Sequence, residues 1–362
     1  TSMALTTVRP QGMGFNTGRR NLIINGAMQV AQRGTSKTST TDGYHTVDRW
    51  KTDLGSAFDQ LALTTAQDTN APDGFSNSFK LTVATAETAV ASNELLRIWQ
   101  VVEAQNLQAL AYGTSSAKKT TLSFYVKGSV TGTYALALYH DDGTRINGST
   151  YTIDSANTWE RKSITFDGDT VTAINNDNGR GFYIWWVLAA GSDYTGTSNA
   201  GWQAYSSGTQ IADGHAANSF VTTSSATWQI TGVQFELGEN ASDFEHRSFA
   251  EELTLCQRYY WQVAGTSQLV GQGFYFSASE IDCIVNFPQT MRATPTFTSS
   301  NNSGDFQLTN FSDAFDTWTA QQFFDGSRVN VYVNSGVSGT AGDSGYIRLM
   351  NSTSKVQFDA EL

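Results

Sequence analysis

Cysteine is almost missing: Cys256 and Cys283 are the two present in 362 residues. Neither belongs to a Cys-x-x-Cys pair or a Cys/His cluster, so no zinc site is indicated. The pair could form one disulfide, but Cys256 lies on the apolar stripe of an expected helix, which favours a buried free thiol. Charge is scarce at 15% of residues and leans one way, with 22 Lys and Arg against 33 Asp and Glu. Phosphate binding relies on clustered Lys and Arg, so the net charge of −11 argues against nucleic acid and against anionic membrane surfaces. No run of ~18 apolar residues occurs, and no membrane insertion is expected. The basic-then-apolar pattern of a signal peptide is also missing from the first residues. Thr1-Ser2 ahead of Met3 reads as an expression remnant, with the natural start expected at Met3.

Catalytic motifs are missing too. There is no Gly-x-Ser-x-Gly, no His-Glu-x-x-His and no phosphate-binding loop of the Walker type. The 4 histidines (His45, His140, His215 and His246) are scattered through polar loops and strand ends. Asp141-Asp142 reads as a turn and Glu251-Glu252 as the first turn of a helix. A glycosidase needs two carboxylates facing each other across a cleft, which sequence spacing does not show. No enzymatic activity is expected.

Glycine is abundant, at 32, and Ser, Thr and Asn are conspicuous. That balance suits a β-rich protein with a neutral-polar surface. Phe79, Leu81 and Val83 alternate, as do Leu122, Phe124 and Val126, and Tyr134, Leu136 and Leu138. Leu95 to Val102 is long and apolar. Phe182 to Leu188 is continuously apolar and should be a central strand covered on both faces. Asp141-Asp142-Gly143 joins two strands as a hairpin turn. Around Gly232 the apolar phase shifts from Trp228 and Ile230 to Val233, Phe235 and Leu237, which one extra residue in a β-bulge would do. Many antiparallel strands without a βαβ pattern imply a β-sandwich, most simply a jelly roll, over residues 21–247.

Ser248 and Glu251 form a capping box, which starts a helix. Leu253, Cys256 and Tyr260 share one stripe of it. This linking helix is expected over 248–262. Residues 263–362 read as a smaller β-sandwich, with turns every 8 to 12 residues and strands such as Thr296 to Ser299 and Lys355 to Asp359. The second helix candidate is Val101 to Leu110. Residues 1–20 read as a connector.

Aromatic residues are plentiful: 9 Trp, 14 Tyr and 21 Phe. Sugar C–H faces stack on aromatic rings, and sugar hydroxyls pair with Asn, Asp and Gln. Trp202 and Tyr205 lie in the longest loop-like stretch, 191–218, where an aromatic side chain is not expected to be core. Trp185 and Trp186 are adjacent, so in a strand one must face outward. With Trp318 of the second sandwich, these five are the candidate carbohydrate-binding residues. Asp167-Gly168-Asp169 and Asn175 to Gly179 read as polar turns, because neither has the ligand spacing of an EF-hand.

Several segments in order resemble tail fibre and receptor-binding proteins of tailed bacteriophages. They include Asn21 to Met28, Val47-Asp48-Arg49-Trp50, Leu122 to Lys127, Val233 to Gly238, Asp243-Phe244-Glu245, Glu251-Glu252-Leu253, Cys256 to Tyr260 and Phe287 to Pro295. The resemblance covers roughly residues 20–300 and implies a virion protein of the phage tail, made in the host cytoplasm. It also implies attachment to a bacterial cell-surface glycan. Such fibres are homotrimers, which would turn Leu253, Cys256 and Tyr260 toward symmetry mates and leave the N-terminus to meet other virion tail proteins. Carbohydrate-binding modules of this fold often carry a structural calcium, so Asn25, Glu236 and Asp243 are the expected place for Ca2+. A structural virion protein without sugar binding, or a polysaccharide depolymerase, is the alternative.

Overall fold

A computed structural model of the chain describes residues 20–55, 58–310 and 314–362, so residues 1–19 of the expected connector lie outside the described residues. The alternating segments form strands β1 (Ser36–Ser39), β2 (Lys51–Gly55), β3 (Ala62–Asp68), β4 (Ser78–Thr85), β5 (Glu94–Glu103) and β6 (Thr120–Gly128). They continue as β7 (Gly132–His140), β8 (Arg145–Ile153), β9 (Glu160–Phe166), β10 (Arg180–Ala190), β11 (Gln203–Ala204) and β12 (Thr227–Leu237). Sheet A has the order β1-β3-β4-β12-β6-β9, and sheet B the order β11-β8-β7-β10-β5-β2. Within them, β4-β12-β6-β9 faces β5-β10-β7-β8, the strand order of two Greek keys. The expected jelly roll is therefore the fold, and its extra strands lie at the sheet edges.

Alternation supplies the core. Phe79, Leu81, Phe124, Trp228 and Ile230 point inward from sheet A, to meet Leu136, Leu138, Ile184 and Trp186 of sheet B. Burying each such side chain contributes ~1.5–3 kcal/mol. The pairing of β12 with β6 breaks between Thr231 and Gln234, the bulge expected from the sequence. Gly232 occupies it at φ 61°, and a Cβ there would lie 2.6 Å from the Phe75 ring. Only glycine meets both conditions without strain. The expected strand from Phe182 is β10, which lies between β5 and β7 with apolar residues on both faces.

After a short helical turn, α1 (Ser219–Thr222), the next helix is α2 (Phe249–Gln257). Its capping box is complete: the Ser248 hydroxyl accepts from the Glu251 N–H at 3.3 Å, and the Glu251 carboxylate accepts from the Ser248 N–H at 3.1 Å. The helix stops before Tyr260, which opens strand β13 (Tyr260–Ala264). Strands β14 (Leu269–Ser277), β15 (Glu280–Asn286), β16 (Thr296–Ser299), β17 (Phe306–Leu308) and β18 (Ala314–Phe315) follow. The last are β19 (Ala320–Asp325), β20 (Arg328–Val333), β21 (Ser344–Leu349) and β22 (Lys355–Asp359). Sheet C (β13-β22-β16) packs on the seven-stranded sheet D (β18-β17-β21-β14-β15-β20-β19), forming the smaller sandwich.

Buried charge joins the two sandwiches. The Arg33 guanidinium stacks 3.5 Å from the Tyr260 ring centroid and pairs with Asp359 at 3.0 Å and Glu361 at 3.3 Å. Arg49 stacks on Tyr259 at 3.5 Å and pairs with Glu361. Arg258 reaches Glu103 at 2.9 Å. Planar, weakly hydrated guanidinium groups suit such buried pairs.

This seam corrects the expected oligomerisation stripe. Tyr260 is used by the seam, and Cys256 is fully buried in its own chain, so neither faces a symmetry mate. Leu253 is half-buried, and the exposed apolar side chain on α2 is Phe249. Both cysteines are free and buried, as expected, and burial pushes the Cys256 thiol far up.

Candidate functional site

Strand β10 positions the site. Its inward residues fill the core, while Tyr183, Trp185 and Val187 project from the outer face of sheet B. Register sets their neighbours in rows. Lys51, Trp99, Trp185 and Ala137 lie side by side across β2, β5, β10 and β7. The next row is Val101, Tyr183, Tyr139 and Ile146.

The rings touch. Tyr139 stacks on Trp185 with centroids 5.1 Å apart, and Trp99 meets Tyr183 at 4.9 Å. Tyr205 sets its edge against Tyr139 at 5.3 Å. Cations frame the rings: Lys51 lies 4.5 Å from Trp99, Arg97 4.4 Å from Trp185, and Arg180 5.5 Å from Tyr183. Asp53 pairs with Arg97, and Asp141 with Arg180 at 3.3 Å. Burial pushes the Tyr183 hydroxyl up to about 12, so it stays protonated and able to donate.

One half of this face is closed. The stretch 191–218 crosses β8 and lays Ile211 and Ala212 on the apolar cluster. Its Asn199 sits directly over Gly148, where a Cβ would come within 2.0 Å of the amide nitrogen. His215 anchors the same stretch, its Nδ1 accepting from the Ala135 N–H at 3.3 Å. Toward β2 and β5 the face stays partly open: Lys51, Arg97, Trp99, Tyr139 and Tyr205 are each half-buried.

The expected sugar-binding residues separate. Trp185 and Tyr205 belong to this face. Trp186 does not: it is fully buried, 5.3 Å from Trp50 and 5.9 Å from Phe124, because strand alternation turns it inward. Trp202 plugs the end of the core, contrary to expectation. It stacks on Phe182 at 5.7 Å and donates its indole N–H to the Asp167 carbonyl at 2.6 Å. Trp318 is buried in the second sandwich against Phe306 and Phe315. Among the described residues the indole N–H groups of Trp186 and Trp318 have no hydrogen-bond partner, and neither do those of Trp99 and Trp185. An unpaired indole therefore does not mark the site; a place on the outer face of sheet B, beside the half-buried Trp99 and Tyr139, does.

The expected metal residues have other partners. The Asn25 amide donates to the Val30 and Asp48 carbonyls at 2.8 and 2.9 Å, bracing a turn. Glu236 accepts from Gln234 at 2.7 Å and from the Ser242 N–H at 2.9 Å and hydroxyl at 2.6 Å. Asp243 contributes its carbonyl, rather than its carboxylate, to the same network. Asp169, from the first polar turn, is buried against Arg145 at 2.7 Å.

Sequence reasoning missed Trp99, Tyr139, Tyr183, Lys51 and Arg97 as partners in a site. The signal was present: β5 and β10 are apolar at both odd and even positions. A jelly roll needs only one apolar face per strand, so a second one implies further packing or a ligand.

No family model matches the chain, and no curated protein sequence matches it. Among solved structures, the enzymatically active domain of bacteriophage CBA120 tailspike protein 4 aligns over 60% of this chain and 21% of its own, at 14% identity and TM-score 0.32. The alignment thus spans about a fifth of the tailspike chain. A family 11 carbohydrate-binding module of a Clostridium thermocellum cellulosomal cellulase aligns over 57% of this chain and 98% of its own, at 12% identity and TM-score 0.29. TmCBM61, solved in complex with β-1,4-galactotriose, covers 61% of this chain and 100% of its own, at 12% identity and TM-score 0.29. The jelly-roll assignment rests on the strand order described above, and these distant likenesses add no argument to it.

Proposed function

We propose that this chain is an adhesin of a phage tail that binds a bacterial surface glycan through the outer face of sheet B, without catalysis. One observation carries the reading: Trp99, Tyr139 and Tyr205 form a partly open aromatic platform, backed by Tyr183 and Trp185 and framed by Lys51, Arg97 and Arg180. Rings offer faces for sugar C–H groups, and the cations and phenols can donate to hydroxyls. Such a mixture of apolar surface and a few placed polar groups is what small-ligand sites use. Asp53 and Asp141 are each tied to an arginine, which suits orientation of a ligand better than proton transfer.

A homotrimer belongs to the proposal, since three weak sites on one particle gain avidity. So does attachment to other tail proteins through the N-terminal residues. The test is binding to immobilised surface polysaccharide of candidate host cells, with wild type and Trp99→Ala compared at matched folding. Binding that Trp99→Ala abolishes supports the reading. Binding untouched by that change overturns the assignment of the face. Release of reducing ends from the polysaccharide would make the protein a depolymerase. A solution mass near three times 39.3 kDa is expected by light scattering.

A further inference from the structure

A second site lies at the seam between the sandwiches. Sheet C is apolar on one face, where Trp261, Phe358 and Phe297 meet sheet D. Its other face is polar apart from Ala264: Tyr260, Asp359 and Thr296 form one row, and Gln262, Gln357 and Thr298 the next. Lys355 follows on the same face of β22. This polar face meets β1 and the 33–45 region of the jelly roll across an open pocket of about 460 Å³. Small-ligand pockets span roughly 300–1,000 Å³ and favour domain interfaces.

The charge in the pocket is opposite to that of the chain. Asp359 is the carboxylate in its lining, and Arg33 already holds it at 3.0 Å. Lys37 from β1 and Lys355 from β22 have no carboxylate partner among the described residues, so the pocket is left with two uncompensated cations in a protein of net charge −11. Thr296 and Thr298 stand two residues apart and exposed, turned to the same side by strand alternation. Two cations beside a stripe of hydroxyl and amide groups match a ligand that carries both an anionic group and ring hydroxyls.

We propose that the seam pocket binds an anionic sugar residue. Its carboxylate or phosphate lies between Lys37 and Lys355, and its hydroxyls lie against Thr296, Thr298 and Gln357. The site is separate from the aromatic face and does not depend on it. Because its walls come from both sandwiches, occupancy also ties one to the other.

The test is saturation-transfer NMR on the full chain with D-glucuronate, glucose 6-phosphate and glucose at equal concentration. At least one of the two anions should give a signal that glucose does not match. The signal should fall at least about tenfold in the Lys37→Ala/Lys355→Ala double variant, the loss expected for one or two charge-assisted hydrogen bonds. It should persist in Trp99→Ala, which separates this site from the aromatic face. Signal from glucuronate alone assigns a carboxylated sugar, and signal from glucose 6-phosphate alone assigns a phosphorylated one. No signal from either anion, an equal signal from glucose, or a signal unchanged in the double variant overturns the proposal. If the double variant does not fold, Lys37→Arg/Lys355→Arg keeps the charge and should keep the signal, while high salt should remove it from wild type.

Discussion

The outer faces of sheets A and B differ in how they treat partly buried groups. On sheet A the side chains around β12 are polar and matched to one another, and Phe75, Tyr125, Phe244 and His246 pack together beside them. Gln229 donates to Ser78 at 3.1 Å, Thr231 to the Asn77 carbonyl at 2.7 Å, and Gln234 to Glu236 at 2.7 Å. On sheet B the corresponding positions are Trp99, Trp185, Tyr183, Tyr139 and Val187; Val187, Trp185 and Tyr183 are buried, and the cover is incomplete over Trp99 and Tyr139. A polar face that satisfies itself needs nothing further. An aromatic face left half open loses apolar burial that a ligand can supply. The same fold therefore carries one finished face and one that invites a partner.

The sharpest way to break this comparison is the adjacent pair Trp186 and Trp185. Trp186→Ala removes a core ring, and a loss of ~3–5 kcal/mol is expected in chemical denaturation. Trp185→Ala should cost less, because the layer that covers Trp185 is partly open at the neighbouring Trp99 and Tyr139. An equal loss from the two would make the outer face of sheet B a second structural core and remove the case for a ligand.

The cover itself titrates. Burial holds His215 down at about 4, from an ordinary 6.5. Between those values the unfolded chain takes up a proton that the folded chain refuses, so this group's contribution is intact above pH 6.5 and is lost as pH falls toward 4. The full gap corresponds to about 3 kcal/mol. Asp48 works in the opposite direction: burial pushes its carboxyl up to about 6, so its contribution grows as pH falls through the range from 6 toward 4. The His215→Gln variant isolates the first effect. Its unfolding free energy should fall less than that of wild type between pH 6.5 and 4. Parallel pH profiles would mean that His215 does not anchor the cover.

Trp99→Ala comes next, with its effect on binding rather than on folding. Its ring is half-buried, so little stability should be lost, whereas glycan affinity should drop by about one to two orders of magnitude, the range for one aromatic anchor. Surface plasmon resonance on the polysaccharide that wild type binds reads this directly.

Much of the fold was legible because β-structure writes itself as period-two alternation. Thr296–Ser299 and Lys355–Asp359 are strands over the expected residues. The bulge at Gly232 could be read as a phase change. Three features were not legible. Val101 to Leu110 was expected to be a helix, but β5 runs to Glu103 and a 3-10 helix follows over Ala104–Leu110, because apolar residues suit both states until pairing decides. Tyr260 continued the helical stripe in sequence, yet the chain turns before it and Arg33, distant in sequence, claims its ring. Trp202 sits in a glycine-rich loop, and nothing local says that the loop folds back to cap the core. The aromatic face was harder still: its residues come from β5, β7 and β10, and only the sheet register brings them together.

The smallest effect expected is also the one that closes the comparison. Lys80 stands on the outer face of sheet A and pairs with Asp68 at 2.9 Å, both side chains being partly exposed. Exposed pairs of this kind contribute about 0–1 kcal/mol, so Lys80→Ala should shift the unfolding midpoint only slightly. It should leave the glycan signal of wild type unchanged, since the polar groups around it already satisfy one another. If Lys80→Ala removed the signal while Trp99→Ala kept it, the roles of the two faces would be reversed. The glycan would then be read by hydrogen bonds on sheet A, and the rings on sheet B would await another chain.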